Sequence, residues 1–361
     1  MKKRLLLAAL AFCAGLAWAE IELTDTKGRT VKLNAVPERV ALGFYYEDYL
    51  AVTGKEGLDK VVALSRYTWK DWRPNQYALY EQALPRLKDI PDMGSTANDS
   101  FSVEKLIAAE PDVLIVAAWD FDALGEAAHT IEAAGVPIVV LDYNAQTIEK
   151  HVRSTLVLGK LMGQESRAQA LVDNYQAAME AVMARVEKAQ SQPKVYVELA
   201  QNGAEQYGNS YGNTMWGALI TQLGGENIAA KEISNWGPLN PEYILTQEPD
   251  VIFLTGSEWK NKPQSVTVGF GAQADVLKTR MQAYMQRPGW TDLPAVKNRR
   301  VHAIYHGGAR TLSDYVYAQY IAKQLYPDLF EDIDPAQNLR DYYAKWLPIA
   351  ADGIFMWQYQ P

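Results

Sequence analysis

The sequence predicts an α/β protein of two doubly wound lobes joined by a single long rigid α-helix. Three observations carry that expectation: an internal repeat, an alternation of short apolar runs with helical stretches in both halves, and one long amphipathic pattern between the halves. Residues 103–116 (VEKLIAAEPDVLIV) align without gaps on residues 241–254 (PEYILTQEPDVIFL). Each copy reads as a short helix, a stop and a buried strand. Ser102 and Asn240 suit the N-cap, Pro241 suits the first helical position, and Pro111 and Pro249 end the helices. The β-branched runs that follow suit strands covered on both faces. One such unit in each half implies two similar lobes.

At the start of the chain, Lys2, Lys3 and Arg4 precede an apolar run from Leu5 to Leu16, and Ala17-Trp18-Ala19 supplies a small-x-small cleavage pattern before Glu20. Residues 1–19 are therefore expected to be a signal peptide, because the run is too short to span a bilayer. Cys13 follows the bulky Phe12, whereas a lipid-anchored cysteine needs a small residue before it, so a soluble mature chain from Glu20 is expected. A first lobe is expected over residues 20–146, with strands at 39–42, 61–64, 113–116 and 137–141. An interlobe helical region follows over residues 147–192. There Ala168, Leu171, Val172, Tyr175, Met179, Val182 and Val186 recur mostly at gaps of three and four. That spacing predicts one helix from Glu165 to about Ala189, roughly 35 Å long at 1.5 Å per residue. A second lobe with an aromatic C-terminal tail is expected over residues 193–361, with strands at 194–199, 251–254 and 301–305. Strand–helix alternation of this kind favours parallel sheets.

The 361 residues are 48% hydrophobic, ample for two cores without disulfides, and the single cysteine leaves with residues 1–19. The formal net charge of −8 becomes about −11 once three basic residues are removed with that segment. That balance argues against nucleic acid or an anionic membrane surface as partner, since both need a basic face. No later segment is apolar enough to cross a bilayer.

Residues 23–29 (LTDTKGR), 37–40 (PERV), both EPD copies, 158–163 (LGKLMG), 223–227 (LGGEN) and 326–330 (YPDLF) follow one another over most of the mature chain. In order and spacing they resemble the periplasmic binding proteins of siderophore, haem and vitamin B12 importers, which carry a helical backbone between their lobes. The resemblance implies a periplasmic substrate-binding component of an ABC importer, with a permease of the inner membrane as its partner. It also implies that one surface glutamate from each lobe docks onto permease arginines, and Glu104 and Glu242 match those positions. A monomer without a cofactor of its own is expected.

Ligands of doubly wound lobes bind beyond the carboxyl ends of the strands. In the first half the residues there are Tyr45, Tyr46, Tyr67, Trp69, Arg73, Trp119 and Tyr143; in the second they are Tyr207, Tyr211, Trp236, Trp259, Tyr305, His306 and Arg310. Aromatic walls with a few convergent charges suit a large, flat, partly anionic ligand. About half of these rings are expected to touch it, with Tyr45, Trp119 and Arg310 nearest the strand ends. Arg73 and Arg310 offer planar forks to carboxylate or catecholate oxygens. A ferric chelate of siderophore type leads as the ligand, ahead of haem, cobalamin, molybdate and a nickel chelate. The four histidines show no metal-ligand spacing, so no direct metal site is expected beyond completion of a chelate's coordination by Tyr305 and His306. His129 and His151 read as surface residues.

A reading of a different class comes from residues 208–212 (GNSYG), which fit the nucleophile elbow of a serine esterase around Ser210, with residues 306–308 (HGG) as an oxyanion segment. Context opposes it. Ser210 does not directly follow a strand, and the oxyanion segment comes after the nucleophile instead of before it. A flexible glycine-flanked loop close to the ligand is expected there.

Overall fold

The described chain opens with an antiparallel hairpin, β1 (Ile21–Thr24) and β2 (Thr30–Leu33), whose alternate residues are buried. The computed structural model describes residues 20–361; the signal peptide expected over residues 1–19, with Cys13, lies outside them. Apolar runs then build a parallel sheet from β3 (Val40–Leu42), β4 (Val61–Leu64), β5 (Val113–Ala117) and β6 (Ile138–Leu141), in the spatial order β4-β3-β5-β6. The second sheet holds β7 (Lys194–Leu199), β9 (Glu226–Asn227), β11 (Val251–Gly256) and β13 (Val301–Tyr305) in parallel, with β15 (Met356–Gln358) antiparallel on the edge of β13. Its order is β15-β13-β11-β7-β9. Two ribbons complete the strands: β8 (Asn209–Tyr211) with β10 (Trp236–Pro238), and β12 (Gly269–Phe270) with β14 (Gly353–Ile354). In both sheets the first strand lies between the second and the third. The two lobes are therefore wound alike and reverse direction at the same place.

The helices that matter for the site are α1 (Tyr46–Thr53), α2 (Pro74–Ala83), α3 (Val103–Ala108), α4 (Ala118–Leu124), α5 (Ile148–Met162), α6 (Glu165–Val186), α7 (Met215–Gln222), α8 (Pro241–Gln247), α9 (Tyr315–Leu325) and α10 (Pro335–Trp346). The repeat seen in the sequence is α3 leading into β5 and α8 leading into β11, the third strand of each sheet. Ser102 caps α3 by accepting the Lys105 amide at 3.2 Å, and Asn240 caps α8 by accepting the Glu242 amide at 2.8 Å. Glu110 and Glu248 stop the two helices in the left-handed conformation, at φ 48° and 50°. The aspartate of each EPD copy then ties its lobe together. Asp112 accepts the amides of Glu38 and Arg39 as the chain enters β3, and Asp250 accepts the amide of Lys194 as it enters β7. The motif thus pins the third strand of each sheet to the first.

Between the sheets, α5 and α6 pack as an antiparallel pair joined at Gly163, which holds φ 64° at the end of α5. All the apolar positions read from the sequence of α6 are buried except Val186, which is half-buried. The helix touches α1 of the first lobe and α9 of the second, so its apolar stripe is shared by both. The C-terminal tail also reaches both lobes: β15 extends the second sheet, while Tyr343 on α10 donates a hydrogen bond to Glu47 on α1 at 3.1 Å. No helix among the described residues is long and apolar enough to cross a membrane.

Candidate ligand cleft

Where a doubly wound sheet reverses, the loops after its first and third strands part and leave a crevice beyond their carboxyl ends. In the first lobe that crevice is framed by Phe44 and Tyr45 after β3 and by Trp119 after β5. Phe44 and Trp119 meet edge to face, with ring centres 5.2 Å apart. In the second lobe Trp259 follows β11, and His306 and Arg310 follow β13. The two crevices face each other. The Arg310 guanidinium carbon lies 5.4 Å from the Phe44 ring centre and 5.8 Å from that of Trp72. Asn75 donates to the Phe270 carbonyl at 2.9 Å, and the Lys260 amide donates to the Asp71 carbonyl at 3.2 Å, joining the rims. The recess enclosed by Phe44, Tyr45, Tyr46, Glu47, Asp48, Arg73, Arg310 and Thr311 has about 20 Å³ of free volume, room for one water. A ligand larger than a water enters only when the lobes part.

Strain and unpaired charge concentrate here. Tyr45, Met215 and Arg310 all adopt left-handed backbone, at φ 57°, 45° and 59°. Such conformations cost energy in residues with a side chain and cluster at functional sites. Arg310 is only 9% exposed, its Nη1 faces Met215 Sδ at 3.9 Å, and its Nε has no acceptor. No carboxylate among the described residues forms an ion pair with it. Burial, and then the neighbouring Arg73, lower its pKa to about 10, so it remains a cation at neutral pH. A buried cation lacking a counter-charge is costly, and an incoming anion relieves that cost.

His306 forms part of the same wall. Its Nδ1 lies 3.4 Å from Trp216 Nε1 and 3.4 Å from the Tyr211 hydroxyl. An indole N–H can only donate, so Nδ1 accepts and the hydrogen of the neutral ring sits on Nε2. Burial, reinforced by Arg310 and Arg73, pushes its pKa well below the usual value and keeps the ring neutral. His306 thus carries its one N–H donor on Nε2. This argues against metal coordination by His306, and the Tyr305 hydroxyl is buried among Phe270, Phe355 and Gly307 without lining the recess.

The other sequence candidates divide. Tyr45 lines the recess, and its hydroxyl donates to Asn144 at 2.6 Å while accepting the Tyr143 amide. Trp119, Trp259 and Tyr211 stand in the walls, and Arg73 lines the floor within the field of Glu47 and Glu258. Tyr46 and Trp69 stack at 4.5 Å inside the first lobe, where Trp69 donates to Gln76; the Trp69 ring belongs to the core and not to the cleft. Tyr143 is likewise buried, bonded to Thr155 and supporting Tyr45 from behind. Tyr207 accepts from Trp290 and covers the Arg287 guanidinium at 4.0 Å, inside the second lobe. Trp236 lies on the outer ribbon and is 58% exposed. His151 is a buried partner of Asp314, not a surface residue.

The elbow pattern also has a structural explanation. Residues 209–211 form strand β8, not a flexible loop, and the buried Ser210 hydroxyl donates to the Val197 carbonyl at 2.6 Å. A Cβ at Gly208 would lie 2.0 Å from the Leu199 carbonyl oxygen, and one at Gly212 would lie 1.8 Å from that of Ile233. The two glycines are demanded by close backbone approach. Sequence reasoning missed Phe44, Trp72, Met215 and Trp216. Phe44 directly precedes Tyr45 after β3 and was within reach of the same strand-end rule; the others sit on short helices or turns that no pattern marks.

Glu104 and Glu242 are both exposed, in the first turns of α3 and α8, and neither carboxylate is ion-paired among the described residues. Ser102 bonds through its amide to Met93, which pairs with Leu64 at the carboxyl end of β4. The first turn of α3 therefore lies at the cleft rim of its lobe, and the equivalent winding puts α8 at the matching place.

The chain matches a family described as periplasmic binding protein over residues 44–305. Among solved structures it is similar to the TroA-like periplasmic binding protein FepB from Veillonella parvula, with 34% identity, 94% of this chain and 100% of that chain covered, and a TM-score of 0.88. It is 21% identical to the ABC transporter substrate-binding lipoprotein YvrC of Bacillus subtilis over 68% of this chain and 71% of the relative. It is 24% identical to the vitamin B12-binding protein of Yersinia pestis over 55% of this chain and 63% of that relative.

Proposed function

The chain belongs to the periplasmic binding protein family and is a substrate-binding component of an ABC transporter, and on that premise we propose that the ligand it carries is an anionic ferric chelate of siderophore type. The observation that carries this reading is Arg310, a buried guanidinium in an aromatic cleft with no ion-pair partner among the described residues. A chelate with carboxylate or catecholate oxygens supplies that charge through paired hydrogen bonds, and its flat ring surfaces suit Phe44, Trp119 and Trp259. His306 adds a donor for a further oxygen. The metal stays wrapped by the chelator, and the protein holds the outside of the complex.

Capture involves no bond making. Ligand enters between the lobes, the shared helix α6 limits how far they part, and the loaded protein presents Glu104 and Glu242 to the permease. A mature chain exported to the periplasm and acting as a monomer fits this role. Cobalamin is the second reading, favoured by the similarity to a vitamin B12-binding protein; haem, molybdate and a nickel chelate remain further candidates of the same fold.

The test is intrinsic tryptophan fluorescence of residues 20–361, titrated with a ferric tris-catecholate, a ferric tris-hydroxamate, ferric citrate, haem, cyanocobalamin and molybdate. Saturable quenching by a ferric chelate, lost in Arg310→Ala, is the expected result. Saturation by cyanocobalamin alone, indifferent to Arg310→Ala, would overturn the reading.

A further inference from the structure

The segment that carries Arg310 is gripped at two points, one within the lining of the recess on the first lobe and one outside that lining on α5. Asp48, in the first turn of α1, is buried, and its Oδ1 accepts the Leu312 amide at 2.8 Å and the Thr311 hydroxyl at 2.9 Å. Further along, Asp314 Oδ2 lies 2.7 Å from Nε2 of His151 on α5, and both side chains are buried. The other ring nitrogen of His151 faces the Thr147 carbonyl at 3.0 Å, and the ring stacks on Tyr175 at 5.0 Å. Both nitrogens face acceptors, so both carry hydrogen and His151 is an imidazolium in this arrangement. Residues 310–314 of the second lobe thus hang from a carboxyl on the first-lobe helix α1 and a cation on α5, the partner of the shared helix.

We propose that residues 310–314 form an interlobe clasp in which Asp48 and His151 are positioning residues: they hold Arg310 against Phe44 and Trp72, and opening the clasp withdraws the anion-binding group and frees the ligand. The ligand consequence rests on the reading of Arg310 given above; the clasp itself does not. Asp48 is surrounded by Glu47 on its own helix, His151 on α5, Tyr143 after β6, Tyr80 on α2 and Tyr342 on α10. His151 faces Asp314, Asp48, Tyr143 and Tyr175.

These surroundings make the clasp proton-linked. Burial raises the Asp48 pKa to about 7, against the pull of its two hydrogen bonds. Burial alone would lower that of His151, but the charge and hydrogen bond of Asp314 carry it above its ordinary value. Both groups hold protons more tightly in the closed clasp than in solvent, so closing takes up protons. The grip is full at low pH and weakens as pH rises, through about 4 to 7 for Asp48 and above about 6.5 for His151.

Residues 20–361 contain no cysteine, so His129→Cys and Lys278→Cys place a label pair on exposed sites of opposite lobes. Pulsed dipolar distance measurement on the ligand-free chain at pH 5, 6, 7 and 8 reads the clasp directly. A short interlobe distance at pH 5, giving way to a longer population as pH rises, is expected. Asp48→Ala should show the longer population at every pH. Asp48→Asn, whose amide oxygen still accepts both hydrogen bonds, should keep the short distance and lose the pH response below about 6.5. A distance distribution in Asp48→Ala equal to that of the parent would overturn the clasp. Ferric citrate and a ferric tris-catecholate then serve as probes of the ligand site. Weakening of either by at least about tenfold in Asp314→Ala, a clasp residue outside the recess lining, supports a positioning role, and unchanged affinity removes it. If the parent binds neither probe, the chelate reading fails while the distances still decide the clasp.

Discussion

The Arg310 guanidinium carbon lies 5.4 Å from the centre of the Phe44 ring, so a cation of the second lobe rests on an aromatic face of the first. A desolvated contact of this kind contributes about 2 kcal/mol, well short of the several kcal/mol that burial of an unpaired ion costs. The difference makes the cleft receptive to an anion.

Replacing Arg310 by alanine should weaken chelate binding by roughly 10- to 100-fold, the effect of losing charge-assisted hydrogen bonds of about 1.5–3 kcal/mol. Arg310→Lys should recover only part of this, because an ammonium cannot present the planar fork. Fluorescence titration of the three proteins checks the order.

Glu104 and Glu242 sit at equivalent points of the two lobes and are free of ion pairs among the described residues. Glu104→Ala combined with Glu242→Ala should abolish uptake in cells while the affinity of the purified protein for its ligand stays within about twofold, since exposed charges on the outer rim, outside the recess lining, steer docking and leave the ligand alone. Normal uptake by the double variant would sink the docking role.

Inside the second lobe, Arg287 pairs with both oxygens of Glu198, at 2.6 and 2.8 Å, and lies among the rings of Tyr207, Tyr284 and Trp290. Glu198→Ala leaves that guanidinium buried without its partner and should lower unfolding free energy by about 3–5 kcal/mol. Adding Arg287→Met should restore much of the loss. Urea denaturation of the single and double variants measures both.

His302 is buried in β13, with Nδ1 hydrogen-bonded to the Tyr320 hydroxyl at 3.0 Å, and burial, followed by the charge of Arg300, lowers its pKa to about 3. Unfolding restores an ordinary pKa near 6.5, so the unfolded chain binds the extra proton between those values and stability falls as pH drops through about 6.5 toward 3. The His302 contribution lost by pH 4 is about 3 kcal/mol. His302→Gln should flatten the acid limb of stability against pH; an unchanged slope would contradict the assignment.

The strands of both parallel sheets, apart from the two-residue β9, were legible in the sequence because each is an apolar run bounded by turn residues, and burial on both faces selects such runs wherever the chain goes. The ribbons and the edge strand β15 were not: their pairing is with distant partners, and Asn209-Ser210-Tyr211 has no strand-like pattern of its own. Position after a strand was enough to place Tyr45, Trp119 and Arg310 around the cleft. It could not separate Trp69, which turns into the first-lobe core to bond Gln76, from Trp119, which stays at the rim.

The sequence by itself determined the two-lobed winding, the shared helix and the equivalence of the EPD units, because periodicity and repetition are local properties that survive without coordinates. Only the tertiary structure decided that Asp48 meets Leu312, that His151 is a buried imidazolium facing Asp314, and that Arg310 forms no ion pair among the described residues. These are relations between residues more than a hundred and fifty positions apart, or the absence of such a relation. Folding sets them by packing and desolvation, for which linear spacing carries no signal.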